Sequence, residues 1–329
     1  MIKTHLQQYT SPETDNILRN TYVDNIILST LYQRQILKHY QALKLIFNNA
    51  KMNIRQFSTN STYGYNNIRV EDRDTNDEIS VLGIYWKPHT DVIKINFKSW
   101  KGQPGTKRNI LSFIASQFDP LGLISPTTLP LRKFCQKLWE QNYKWDELLG
   151  STLMKEWNKL VKPFELTQLI FDRQVLPDGN WDLHVFTDAS KNGYAAVVYA
   201  TVKIENTIYS SIMYAKSRLM PIKPMTIPKA ELLAAEVGAK IIKFVKEQLN
   251  LDKAILTAWT DSKCVLYWLK SINFDKKQRF IHNRIKTIKD LEINFRYVPS
   301  EDNPADMGSR GCTPKELEIM NFGGQVQNG

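Results

Sequence analysis

Four carboxylates recur in one order over the second half of the chain, each inside its own short motif. They are Asp188 in Phe186-Thr187-Asp188-Ala189-Ser190, Glu231 in Lys229-Ala230-Glu231-Leu232-Leu233, Asp261 in Trp259-Thr260-Asp261-Ser262-Lys263, and Asp306 in Asn303-Pro304-Ala305-Asp306. Carboxylate oxygens suit a hard cation such as Mg²⁺, which keeps several waters and takes one or two protein carboxylates per ion, so four acids match a pair of ions. Two such ions neutralise the attacking and the leaving oxygen of a phosphodiester at once. Without metal the same four would repel one another and hold protons more tightly. The set reads as a two-metal nuclease site.

For that chemistry the acids must be mounted at the ends of ordered elements. Beyond Trp181 the pattern predicts three consecutive strands near 182–187, 194–202 and 207–215, then a long helix near 228–249. Thr226 is placed to cap that helix, Pro228 fits its first turn, and Leu233, Val237, Ile241, Phe244, Val245 and Leu249 make its apolar stripe. A strand (254–260), helices (262–270 and 277–290), a strand (293–298) and a short helix (304–310) follow, giving the order βββαβααβα. The first strand and the strand at 254–260 are expected side by side, with Asp188 and Asp261 at or just beyond their carboxyl ends. Glu231 falls in the first turn of the long helix and Asp306 in the first turn of the last one, where helix dipoles favour negative charge.

Taken singly, each acid has an ordinary reading. Asp188 suits a turn after a strand, Asp261 with Ser262 a helix N-cap, Glu231 a solvated pairing with a lysine, and Asp306 a complement to a helix terminus. The signal lies in four acids together, each at an element end and each among small or apolar neighbours.

Upstream, Leu31 to Asn49 has helical spacing, and the runs Val81–Trp86 and Val92–Phe97 around Lys87-Pro88-His89-Thr90-Asp91 read as a hairpin. A polar loop from Ser99 to Arg108 leads into helical segments carrying Trp139, Trp145 and Trp157, and Leu176-Pro177-Asp178-Gly179-Asn180 is a turn. At 329 residues two or three domains are expected. The 44 Lys and Arg against 33 Asp and Glu leave a formal charge of +11, which favours a polyanionic partner. Cys135, Cys264 and Cys312 are far apart with no CxxC pair, which indicates a reducing compartment and no zinc. With no long apolar run and no apolar core at the start, the expectation is a soluble intracellular protein, cytoplasmic or nuclear, with no membrane partner and no small-molecule cofactor.

These residues resemble the ribonuclease H domain of retroelement pol polyproteins, and within it the BEL/Pao group of long-terminal-repeat retrotransposons. The likeness extends upstream: Ile110-Leu111-Ser112, Phe118 through Pro126, Leu138-Trp139-Glu140 and Trp145-Asp146 resemble that group's connection region. Tyr22-Val23-Asp24-Asn25 resembles the polymerase YxDD motif, and Leu82-Gly83-Ile84-Tyr85-Trp86 the hairpin after the palm. The resemblance implies a mixed α/β fold: a ribonuclease H-like domain with a mixed five-stranded sheet and flanking helices at 176–315, after an α+β reverse-transcriptase palm and thumb remnant at 1–105 and a helical connection region at 106–175, with a tail at 316–329. It implies hydrolysis of the RNA strand of RNA–DNA hybrids by two Mg²⁺ ions, with Mn²⁺ able to substitute. Asp188 would bridge both ions, Glu231 and Asp261 would hold the one nearer the leaving oxygen, and Asp306 the one that activates water. Ser190, Asn192, Lys263 and Arg310 are the candidates for nucleic-acid contacts, with ordinary surface polarity as their alternative.

Departures limit the inference. Asn25 replaces the second carboxylate of the polymerase motif, and 21 residues precede Tyr22, so the upstream aspartate strand and fingers are expected to be missing and no DNA synthesis is expected. Gln56 and Phe57 stand where a basic residue and Trp are frequent in the group, and Val298-Pro299-Ser300-Glu301-Asp302-Asn303 carries no histidine to assist product release. The alternative is a catalytically silent nucleic-acid-binding remnant of a decayed retroelement. An integrase or transposase, with glutamate last among three acids, fits less well, because here the glutamate is second.

Overall fold

An apolar run covered on both faces builds the middle of the central sheet, where Tyr194, Ala195, Ala196, Val197, Val198 and Ala200 are all buried. The computed structural model describes residues 2–9, 11–23, 25–165, 168–271 and 279–322, and they fall into two units, one of residues 1–95 with 170–174 and one of residues 96–169 with 175–329.

The larger unit begins with three helices, α1 (Lys107–Ser116), α2 (Ser125–Glu140) and α3 (Ser151–Val161). They close on Trp157, which is fully buried among Trp100, Phe113 and Phe134. Then come strands β1 (Asp182–Ala189), β2 (Gly193–Ile204) and β3 (Thr207–Leu219), helix α4 (Ile227–Gln248) and strand β4 (Leu256–Thr260). Helices α5 (Lys263–Lys270) and α6 (Arg279–Asp290), strand β5 (Asn294–Tyr297) and helices α7 (Ala305–Arg310) and α8 (Pro314–Phe322) complete it. The sheet order is β5-β4-β1-β2-β3, with β1 parallel to β4 and antiparallel to β2. The predicted βββαβααβα order and mixed five-stranded sheet are what the chain forms, and the fold is ribonuclease H-like.

Helix α4 approaches the sheet so closely that only glycine fits at the crossing. A Cβ on Gly238 would stand 2.4 Å from Thr187 Cγ2 and 3.3 Å from Val185 Cγ2. Small residues therefore form its buried face: Ala230, Ala234, Ala235, Gly238 and Ala239 pack beside Leu232, Ile241, Ile242 and Val245. The expected stripe is corrected accordingly, since Phe244 and Leu249 are 48% and 42% exposed. Thr226 occupies the N-cap position but makes no side-chain capping bond.

The Phe118–Pro126 motif covers the outer edge of the sheet. Ala215 N donates to Leu121 O at 2.9 Å, and a Cβ on Gly122, whose φ is +75°, would sit 1.8 Å from Ala215 O. Asp119 Oδ2 fixes the turn by accepting from Ile124 N at 3.0 Å. Helix α2 then packs on β3, where Gln136 Nε2 donates to Met220 O at 2.9 Å. Trp145, expected in a helix, lies in the loop between α2 and α3, where its ring and that of Trp139 flank Lys107 Nζ at 5.1 and 4.7 Å.

The smaller unit packs the helix Gln33–Asn49 through Leu43, Ile46 and Phe47 onto Leu6 and Ile17. Leu31 precedes that helix and is 77% exposed. A three-stranded meander, Ile79–Val81, Ile84–Lys87 and Val92–Asn96, replaces the simple hairpin expected there. The predicted strand from Val81 to Trp86 breaks because Leu82 and Gly83 turn with φ of 51° and 82°. Arg173 holds residues 170–174 to this unit by two bonds to Asp91, at 2.5 and 2.8 Å. Tyr22 and Asn25 pair in a two-strand hairpin, Thr21–Tyr22 with Asn25–Ile26. Asp24 and the predicted helix start at 277–278 lie outside the described residues.

Candidate active site

The register of two parallel strands brings the first pair of acids together. Thr187 on β1 faces Thr260 on β4, so Asp188 and Asp261 are the next residues on neighbouring strands, which in a sheet run about 4.8 Å apart. Thr187 Oγ1 donates to Trp259 O at 3.1 Å and pins the strand ends. Side chains alternate along β1, so Thr187 packs under α4 while Asp188, paired with Ala195 of β2, belongs to the opposite face. Helix α7 lies there, so near that a Cβ on Gly308 would meet Ala195 Cβ at 2.7 Å.

Three of the carboxylates have a donor delivered by another element, and the fourth has one from its own helix. Ser309 Oγ donates to Asp188 Oδ2, Ser262 Oγ to Glu231 Oε2 at 2.6 Å, and Ser300 Oγ to Asp261 Oδ2 at 2.6 Å. Asp306 pairs through Oδ1 with Arg310 Nε at 2.7 Å, one turn along α7. Ser262 is also the N-cap of α5, accepting from Val265 N at 3.2 Å. The cap is therefore the serine, and Asp261 is spared that task. Asp261 Oδ1 is buried with no hydrogen-bond partner.

Electrostatics tie the four together. Burial raises the Asp188 carboxyl above its ordinary pKa; the Ser309 hydrogen bond opposes this, and the charges of Asp261 and Asp306 push the same way as burial. Burial likewise raises Glu231, opposed by Ser262 and reinforced by Asp261 and Asp188. The acids feel one another without forming a closed ligand shell, since among the described residues no three of His, Cys, Asp and Glu stand as a group that could hold a metal ion. The donor set nonetheless fits a hard divalent cation: all four are carboxylates, and the buried, unpartnered oxygen of Asp261 is what such an ion would satisfy.

Three of the four candidate nucleic-acid residues, Ser190, Asn192 and Arg310, are hydrogen-bonded or ion-paired within the protein. Ser190 Oγ donates to Ser309 O at 2.7 Å and accepts from Asn192 N, while Asn192 Nδ2 donates to Arg310 O at 2.9 Å and its Oδ1 accepts from Lys133 Nζ. These bonds latch α7 to the β1–β2 turn. Lys263 is exposed, with Nζ 5.7 Å from the centre of the Tyr297 ring. Ser300 and Ser309 escaped sequence reasoning because a serine near a motif is common. Their only signal is position: Ser309 follows Asp306 by three residues, nearly one helical turn.

Residues 106–262 match the family model described as Pao retrotransposon-like RNaseH-like domain. Among solved structures, the chain is similar to the N-terminal RNase H domain of rv2228c from Mycobacterium tuberculosis, at 15% identity over 43% of this chain and 98% of that one, with a TM-score of 0.28. It is similar to LC11-RNase H1 in complex with RNA/DNA hybrid, at 15% identity over 42% and 99%, TM-score 0.29. It is also similar to the foamy viral protease-reverse transcriptase in complex with dsDNA, at 13% identity, covering 86% of this chain and 56% of that one, TM-score 0.44. No curated protein matches the chain. No helix among the described residues is long and apolar enough to cross a membrane.

Proposed function

We propose that this chain, whose residues 106–262 match the model of the Pao retrotransposon-like RNaseH-like domain, is a retroelement pol nuclease that hydrolyses the RNA strand of RNA–DNA hybrids. The observation that carries the reading is the register that puts Asp188 and Asp261 at adjacent strand ends, within electrostatic reach of Glu231 and Asp306. Asp188, Glu231, Asp261 and Asp306 are the residues that would hold two Mg²⁺ ions, or Mn²⁺ in their place. Bound there, the ions would supply positive charge to the attacking and the leaving oxygen of a phosphodiester. The protein's own part is to hold its carboxylates in place through Ser309, Ser262 and Ser300, and to mount them on strand and helix ends that packing makes rigid.

The net charge of +11 supports a nucleic-acid substrate, held largely by phosphate contacts, with 2′-hydroxyls distinguishing the RNA strand. Lys263, exposed beside Asp261, is free to make such a contact at little cost to the fold. With Asn25 in the polymerase motif, no DNA synthesis is proposed. A catalytically silent nucleic-acid-binding remnant is the second reading, favoured by the Arg310–Asp306 pair, which already occupies one of the four acids.

One experiment separates them. The purified chain with Mg²⁺ or Mn²⁺ is given a hybrid labelled on its RNA strand, beside an Asp188→Asn variant. RNA cleavage by the first and none by the second supports the nuclease; equal cleavage by both removes the site. Hybrid binding without cleavage by either would establish the silent remnant.

A further inference from the structure

Ser309 is a fully buried serine whose hydroxyl reaches an acid 121 residues away in sequence. Its surroundings leave it little freedom. The carbonyl of the same residue accepts from Ser190 Oγ at 2.7 Å, the carbonyl of Arg310 accepts from Asn192 Nδ2 at 2.9 Å, and the neighbouring Gly308 lies flat on Ala195 and Ser217. Three separate contacts therefore fix the C-terminal half of α7, two against the turn between β1 and β2 and one against strands β2 and β3. The Ser309 hydroxyl lies within reach of Asp188 Oδ2 and of Asp306 O, the latter at 3.0 Å. A hydroxyl donates one proton, and an ionised carboxylate is the stronger acceptor, so the bond belongs to Asp188. Ser309 is also three residues from Asp306, which places one acid and the hydroxyl that orients another on the same helical turn.

We infer that Ser309 is a positioning residue: its hydroxyl fixes the Asp188 carboxylate in the orientation that receives metal and locks that orientation to the placement of Asp306. The inference rests on the nuclease reading for its purpose, but its geometry concerns metal binding alone. Hydrogen bonds behind metal-ligating side chains hold those ligands in place, and removing one typically costs about 10- to 100-fold in metal affinity or activity. Alanine fills the same buried space without the hydroxyl, so the fold should survive the change.

The test is Mn²⁺ binding to the full chain by titration calorimetry, for the wild type, Ser309→Ala, Asp188→Asn and the double variant, with thermal melting of each in the absence of metal. The expected result is a Mn²⁺ affinity about tenfold or more weaker in Ser309→Ala. The same substitution should add less than twofold once Asp188 is already Asn, and the metal-free melting temperature should move by only a few degrees. Affinity within twofold of wild type in Ser309→Ala would overturn the inference, as would an equal loss on both backgrounds, which would mean that the serine acts on another group. Should Ser309→Ala fail to fold, Ser309→Cys, slightly larger and only a weak donor, must show a loss in the same direction. A wild-type chain that binds Mn²⁺ yet cleaves no hybrid defeats the nuclease reading and leaves this measurement decisive; a wild-type chain that binds no Mn²⁺ defeats both.

Discussion

Thr187 and Thr260 are register partners on adjacent parallel strands, and each is followed by an aspartate. The spacing between the two acids is thus set by backbone hydrogen bonding, which no side-chain substitution elsewhere easily alters. What can alter it is the packing above and below the strand pair.

Removing one charge should stabilise the metal-free protein while ending its chemistry. Asp188 and Glu231 both have folded-state pKa values raised above the ordinary carboxylate range by burial and by their neighbours' charges. A raised carboxylate contributes stability below its unfolded pKa and loses it as pH rises through the folded value, so at neutral pH the ionised cluster works against folding. Asp188→Asn keeps an acceptor for Ser309 and discards the charge. Its metal-free melting temperature at pH 7 should rise by a few degrees, the gain should vanish toward acid pH, and hybrid cleavage should be lost. Melting curves from acid to neutral pH in a chelator, with and without the substitution, check the sign.

Gly238→Ala should destabilise the fold by roughly 1–3 kcal/mol, the usual cost of forcing extra volume into a packed contact. The new methyl would stand 2.4 Å from Thr187 Cγ2 and push β1 away from α4 next to Asp188. Denaturant unfolding measures the loss. If the variant stays folded, cleavage should fall more than stability alone explains, because Glu231 and Asp188 are carried by the two elements being separated.

Ser262→Ala removes two bonds at once, the cap on Val265 N and the donor to Glu231. Losing an N-cap typically costs about 0.5–2 kcal/mol. Ser262→Asp restores the cap but places a like charge beside Glu231. Alanine should therefore lower stability and activity together, whereas aspartate should recover stability and leave activity low. Urea melts paired with Mg²⁺-dependent cleavage separate these outcomes.

Asp119 is pushed up to about 6 by burial, against the backbone donors of its turn and the charge of Arg132. Its stabilising contribution is present below the unfolded carboxylate pKa and falls away as pH rises through about 6. Carboxyl-carbon NMR should show one midpoint near that value, and it should disappear in Asp119→Asn.

Three of the four acids were legible because they stand where a pattern changes, from strand to turn or from turn to helix; Glu231, expected in the first turn of α4, is instead its fifth residue. Apolar runs located β1, β2 and β4 to within a few residues, and Pro228 marked the start of α4. What stayed hidden depended on close approach. The α4 face was read by its large residues, yet the sheet receives its alanines and Gly238, since a bulky stripe would hold the helix too far away. Leu82 takes a left-handed turn conformation that its residue type disfavours, so nothing local announced it. Ser300 and Ser309 act across the fold on partners that only the tertiary structure supplies.

The latch from Ser190 and Asn192 to α7 has a consequence for biosynthesis. Asp306 and Ser309 belong to one of the last helices of the described chain to leave a ribosome, and they dock onto a turn made more than a hundred residues earlier. A nascent polypeptide still lacking that helix cannot complete its acid set. Under the proposed function, cleavage of a hybrid must wait until synthesis has passed Arg310.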